Sequence, residues 1–90
     1  MPSPYKTTPV WDEKSLPAAI RNEHSTKAGV WGLLRVIEGE VRLKFANGTE
    51  RRVTPERPAL IPPQDVHHVE GEGPFRMRVE FYTEKPEPVT

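Results

Sequence analysis

The sequence contains no cysteine. That one absence removes disulfide staples, thiolate metal sites and thiol nucleophiles together, so any metal has to be held by histidine, carboxylate or water. Net charge is missing as well, since 13 Lys and Arg are matched by 13 Asp and Glu. Nucleic acid and anionic membrane surfaces, which require clustered basic residues, are therefore not expected partners. No apolar run approaches the roughly 20 residues needed to cross a bilayer, and the opening Met-Pro-Ser-Pro-Tyr-Lys lacks the apolar stretch of a signal peptide. The sequence thus predicts a cytoplasmic location. Neither a glycine-rich loop leading into a helix nor a nucleophile elbow around Ser15 or Ser25 is present, which argues against nucleotide binding and Ser/His/Asp hydrolysis.

What is present is concentrated. Ninety residues amount to one domain with a thin core. Although 11 residues are proline and only 34% are hydrophobic, the apolar ones fall in periodic runs, as in a folded chain. Residues 1–8 read as a tail that is frayed or laid along a neighbouring edge, and residues 84–90 as a flexible tail. Ser15 is placed to cap a helix of one or two turns through Ala18, Ala19 and Ile20. From Val30 the pattern becomes that of strands. Trp31, Leu33, Arg35 and Ile37 share one face, and Gly32, Leu34 and Val36 the other, which suits a strand buried on both sides. After the Glu38-Gly39-Glu40 turn, Val41, Leu43 and Phe45 alternate with Arg42 and Lys44. Asn47-Gly48 predicts a type I′ hairpin and a return strand over 49–53. Ala59-Leu60-Ile61 is a short strand stopped by Pro62-Pro63. Residues 66–70 form another strand. Phe75, Met77, Val79 and Phe81 alternate strictly with Arg76, Arg78, Glu80 and Tyr82. Six or seven short strands with at most one small N-terminal helix predict an all-β, single-domain antiparallel barrel or jelly roll.

The strand and turn of GEVRLKF, the Asn47-Gly48 hairpin and the stretch IPPQDVHHV together resemble the cupin family, with His67 at the histidine of its second motif. More specifically, PVWDEKSLP followed by HSTKAGVWG is similar to the small cupins of the tellurite-resistance TehB/YeaR-like family. The resemblance covers residues 9–82 and implies a cupin barrel, often dimeric, acting in a stress response that includes tellurite. It departs from the general first cupin motif, whose paired histidines fall on Thr26 and Ala28 and whose glutamate falls on Gly32.

Two histidines far apart in sequence, His24 and His67, are the leading candidates for chemistry, because imidazole is the commonest protein metal ligand and titrates near neutrality. If they converge, they are expected to hold a divalent ion such as zinc, iron, nickel or manganese, with a third ligand from Glu70 or Glu80. Glu80, amid arginines, also reads as an outward-facing charge. His24 also reads as a partner of a loop carbonyl. Lys27, Trp31, Arg35 and His68 are candidate ligand-binding residues. Lys27 and Arg35 would attract an anion, Trp31 would line a pocket, and His68 adjoins His67, although its neighbour's orientation turns it toward solvent. Three functions remain open at this point: a metal-dependent cupin acting on a small polar molecule, a metal-free module that captures an anion or metabolite, and a barrel that forms a homodimer or contacts a larger enzyme.

Overall fold

The strand with two apolar faces becomes the centre of a sheet. In a computed structural model that describes residues 3–86, β3 (Trp31–Glu38) runs antiparallel to β8 (Arg76–Tyr82), from Trp31 opposite Tyr82 to Val36 opposite Met77. On its other edge β3 pairs with β6 (Ala59–Ile61), which places Gly32 opposite Ile61. The far edge of β8 receives two short pieces, β1 (Lys6–Thr7) and β2 (Trp11–Asp12), so residues within the expected N-terminal tail are laid against the sheet. A second sheet has the order β5-β4-β7, formed by β5 (Glu50–Val53), β4 (Val41–Phe45) and β7 (His67–Glu70).

The two sheets face each other across one apolar layer. Leu34, Val36, Met77 and Val79 from the larger sheet meet Val41, Leu43, Val53 and Val69 from the smaller one, with Phe75 and Leu16 closing the ends. Leu34, Leu43, Val53 and Met77 are fully buried, and each such side chain contributes about 1.5–3 kcal/mol relative to exposure. The chain crosses between sheets at Gly39. That residue has φ of +74°, and a Cβ there would stand 2.5 Å from the Pro74 carbonyl oxygen, so only glycine fits the corner.

The domain is small and mostly β, as the alternation predicts, but the sheets do not close into a barrel. Among the described residues no ladder joins them. β6 has only three residues before Pro62 and Pro63, which have no N–H to continue pairing, and β5 ends near Pro55. Two local expectations are also corrected. The predicted helix cap at Ser15 is replaced by an Asx turn, in which the Asp12 carboxylate accepts the backbone N–H groups of Lys14 and Ser15 at 2.9 and 2.8 Å. The helix α1 (Ala18–Arg21) follows Pro17 and is a single turn. At the hairpin Asn47 keeps a negative φ and only Gly48 is left-handed, at +95°, so the turn is a longer loop rather than type I′. Thr49 N–H donates to the Asn47 side chain at 2.9 Å there. Of the expected tails, residues 1–2 and 87–90 lie outside the described residues.

Candidate functional site

The free edge of β7 is taken by a single bridge. His24 and His67 exchange both backbone hydrogen bonds, His24 N–H to His67 O and His67 N–H to His24 O, each 2.9 Å. The turn that delivers His67 is local in origin. Asp65 N–H donates to Pro62 O at 3.3 Å, and Gln64 takes a φ of 61°, the only positive value at a described non-glycine residue. Thr26 pins that turn to the His24 segment, since its hydroxyl accepts Gln64 N–H at 3.2 Å and donates to Val30 O at 2.8 Å.

With the backbones paired, the side chains meet. The imidazole centroids lie 4.2 Å apart at an interplanar angle of 59°. The Phe45 ring, opposite His67 in the register, stands 5.9 Å from it. His67 is 2% exposed. Its Nδ1 lies 2.6 Å from the Asp65 carbonyl oxygen, and His24 Nδ1 lies 3.1 Å from that of Asn22. A carbonyl only accepts, so in the neutral form of either ring Nδ1 carries the proton and Nε2 keeps its lone pair. Burial lowers the pKa of His67, and the nearby His24 adds to this. The Asp65 carbonyl opposes both without cancelling them.

Both rings line a cavity of about 330 Å³ between the sheets. Its wall is apolar: Ile20, Leu34, Ile61, Val69, Val79 and Phe81. Its polar lining includes Thr26, Ser25, Lys27, Lys6 and the two imidazoles, and no Asp or Glu. Of the residues singled out in the sequence, His24, His67 and Lys27 are brought together here. Thr26 is legible in the sequence only as the position where the first cupin motif would have a histidine. Ile20, Val30 and Ile61 carried no signal beyond being apolar.

The remaining candidates lie elsewhere. His68 and Glu70 are on the opposite face of β7, where Glu70 bonds His68 Nε2 at 2.7 Å and Lys44 Nζ at 3.2 Å. Those two contacts, His68 first, hold the Glu70 carboxyl below its ordinary pKa. Glu80 is buried on the outer face of β8, accepting from Arg35 Nε and Tyr82 Oη at 2.8 Å each. Burial pushes its pKa up, but the bonds from Arg35 and Tyr82 outweigh it and the carboxyl stays below its ordinary range. Trp31 is on the same outer face, with Lys85 Nζ 6.0 Å from its ring. The expected divalent ion at His24, His67 and Glu70 or Glu80 is therefore corrected. Both carboxylates are committed to cations on faces turned away from the imidazoles, and among the described residues no three His, Asp or Glu side chains are grouped to hold an ion.

Comparison with known proteins places this arrangement. A family model described as the TehB-like domain matches residues 6–79. The chain belongs to that family. The TehB-like domain is 39% identical over 75 residues to a Haemophilus influenzae protein named probable S-adenosyl-L-methionine-dependent methyltransferase TehB, covering 74% of this chain and 26% of that protein. The chain thus spans about a quarter of the length of the curated relatives it matches. The crystal structure of TehB from Haemophilus influenzae superposes with a TM-score of 0.79 at 34% identity, over 88% of this chain and 30% of that one. A crystal structure of an Escherichia coli K12 protein superposes with a TM-score of 0.81 over 93% of this chain and 91% of that one, at 23% identity, a likeness of fold alone. The cofactor in the name of those relatives is S-adenosyl-L-methionine, not a metal ion.

Proposed function

We propose that this TehB-like domain is a binding module that takes a small molecule into the cavity between its two sheets, at the His24–His67 pair, and that it acts in the cytoplasm. The observation that carries this reading is the cavity itself. It holds about 330 Å³ of space behind an apolar wall, with a few convergent polar groups at the paired histidines, which is the usual construction of a small-ligand site at the lower end of the size range. The relatives' name supports a role beside small-molecule chemistry.

S-adenosyl-L-methionine itself does not fit these residues. Its adenosine is ordinarily received at a glycine-rich loop between a strand and a helix of a doubly wound sheet. Here the described helix has four residues, follows a proline, and borders an antiparallel sheet. The domain is accordingly an accessory to methyl transfer where it occurs beside it.

A thermal-shift panel of small neutral, cationic and anionic compounds, tellurite included, tests the proposal. A ligand that binds only the folded state adds about 2.7 kcal/mol at 100 times its Kd. Val30→Trp, on the half-buried rim of the cavity, is expected to abolish the shift. A panel without any stabilising compound, or equal shifts in the variant, would refute the reading.

A further inference from the structure

The cavity is not merely polar at one end; it is polar with one sign. Thirteen acidic residues balance thirteen basic ones across the chain, yet the cavity lining takes Lys6, Lys27, His24 and His67 and no carboxylate. Tyr5 is the remaining titratable group in that lining. Glu23 precedes His24 and Asp65 lies beside His67, but neither carboxylate is in the lining, and the Asp65 hydrogen bond to His67 runs from Nδ1 to the backbone carbonyl. His68 adjoins His67 in sequence but bonds Glu70 on the other face.

Among the described residues neither Nε2 receives a hydrogen bond. While both rings are neutral, the site holds two acceptors side by side 4.2 Å apart between ring centres, and two acceptors have nothing to share. A single added proton changes that: an imidazolium donates from both nitrogens, Nδ1 to its carbonyl and Nε2 into the cavity. An anion in the cavity stabilises that proton. The apolar wall limits what the anion can be. A phosphate is best held by the fork of an arginine, and this lining has no arginine. One carboxylate, with an apolar body behind it, matches both the donors and the wall.

We propose, building on the reading of the cavity as a small-molecule site, that its ligand is a small organic carboxylate with an apolar body, and that one proton is taken up from solvent by the His24–His67 pair as it binds. The carboxylate oxygens accept from imidazole Nε2–H and from Lys27 at the rim, while the body lies against Ile61, Val69, Val79 and Phe81. The low basicity of His67 in the empty site agrees with this, because the proton is then absent before binding at neutral pH and has to arrive with the anion.

Isothermal titration with benzoate, benzyl alcohol and benzylamine, each in two buffers of different ionisation enthalpy, tests the proposal. Benzoate is expected to bind with uptake of close to one proton near neutrality, and to weaken by about tenfold for each pH unit above it. Benzyl alcohol and benzylamine are expected to bind more weakly. His67→Gln is expected to abolish the uptake, and Lys27→Ala, an exposed position whose substitution leaves the fold intact, to weaken benzoate by about two- to fivefold. Tighter binding of the alcohol or the amine, or benzoate binding without proton uptake, overturns the inference while the cavity remains a ligand site. Silence of all three probes overturns the inference, while the reading of the cavity as a ligand site stands or falls on the wider thermal-shift panel.

Discussion

His24 and His67, forty-three positions apart in sequence, are each other's backbone partners and ring neighbours, with paired hydrogen bonds of 2.9 Å and imidazole centres 4.2 Å apart. The bridge adds one residue to the open edge of β7 and, with the turn that Thr26 pins, sets the two rings in the cavity lining. Placement of the site does not depend on the imidazoles themselves, and substitutions at either ring change its chemistry more than its geometry.

Folding stability is expected to depend on pH through His67. Its folded pKa lies below the ordinary 6.5 because it is buried beside His24. Between those two values the unfolded chain binds more protons than the folded one, so stability rises with pH. The contribution is fully present above the ordinary histidine range, is lost as pH falls through it, and stops falling below the folded pKa. Urea unfolding of the wild type and of His67→Asn, followed from about pH 5 to 8, should show a shallower slope in the variant, whose amide still offers a donor to the Asp65 carbonyl. Identical slopes would contradict this account.

Much of this was legible in the sequence, for reasons that separate local from non-local effects. The strands are encoded by alternation, as in Phe75 to Tyr82, and alternation is a property of neighbours. The meeting of His24 with His67 was legible from their placement ahead of two strand segments. Which face of β3 borders the cavity is not legible, because both faces are mainly apolar; Trp31 and Arg35 read as ligand-binding candidates, yet they stand on the other side of the sheet. Glu80 reads as outward-facing from its arginine neighbours, and so it is, yet its burial depends on Arg35 and Tyr82 closing over it. Barrel closure depends on whether strand edges meet, and edges carry no periodic signal of their own.

Thr26 is expected to carry stability out of proportion to its size. Its hydroxyl ties Gln64 N–H to Val30 O, and so ties the proline turn to the loop after His24. Thr26→Val keeps the shape and removes both bonds, at a cost of roughly 1–2 kcal/mol. Thr26→Ser keeps the hydroxyl and should recover most of it. Urea midpoints of the two variants will decide, and equal midpoints would mean that the pin contributes nothing.

Two left-handed glycines, Gly39 at the crossing between the sheets and Gly48 in the β4–β5 hairpin, should differ sharply when replaced by alanine. At Gly48 the space is open, so only the backbone conformation is penalised, by about 1–2 kcal/mol. At Gly39 the same penalty is joined by a methyl group 2.5 Å from the Pro74 carbonyl oxygen and 3.3 Å from Phe75 Cβ. Rearranging that corner brings the cost to roughly 2–5 kcal/mol. Thermal unfolding of Gly39→Ala should therefore begin well below that of Gly48→Ala; a reversed order would remove the corner from its place in the fold.

The ion pair between Arg35 and Glu80 is expected to matter through its failure more than through its presence. Glu80 is 7% exposed and bonds Arg35 and Tyr82, while the Arg35 side chain keeps 35% of its surface in water. Removing the carboxylate with Glu80→Leu leaves the Arg35 guanidinium beside its cross-strand partner Arg78 without the anion that both contact. Water reaches Arg35, so the cost falls to roughly 1–3 kcal/mol, short of what a wholly buried pair loses. Arg35→Met alone strands a buried carboxylate, which has Tyr82 and the more distant Arg78 for support, and should cost at least as much. The double variant replaces both charges with hydrocarbon and is expected to be more stable than the sum of the single losses allows, by at least about 0.5 kcal/mol. Additive losses would mean that the two residues act independently, each held by its other neighbours.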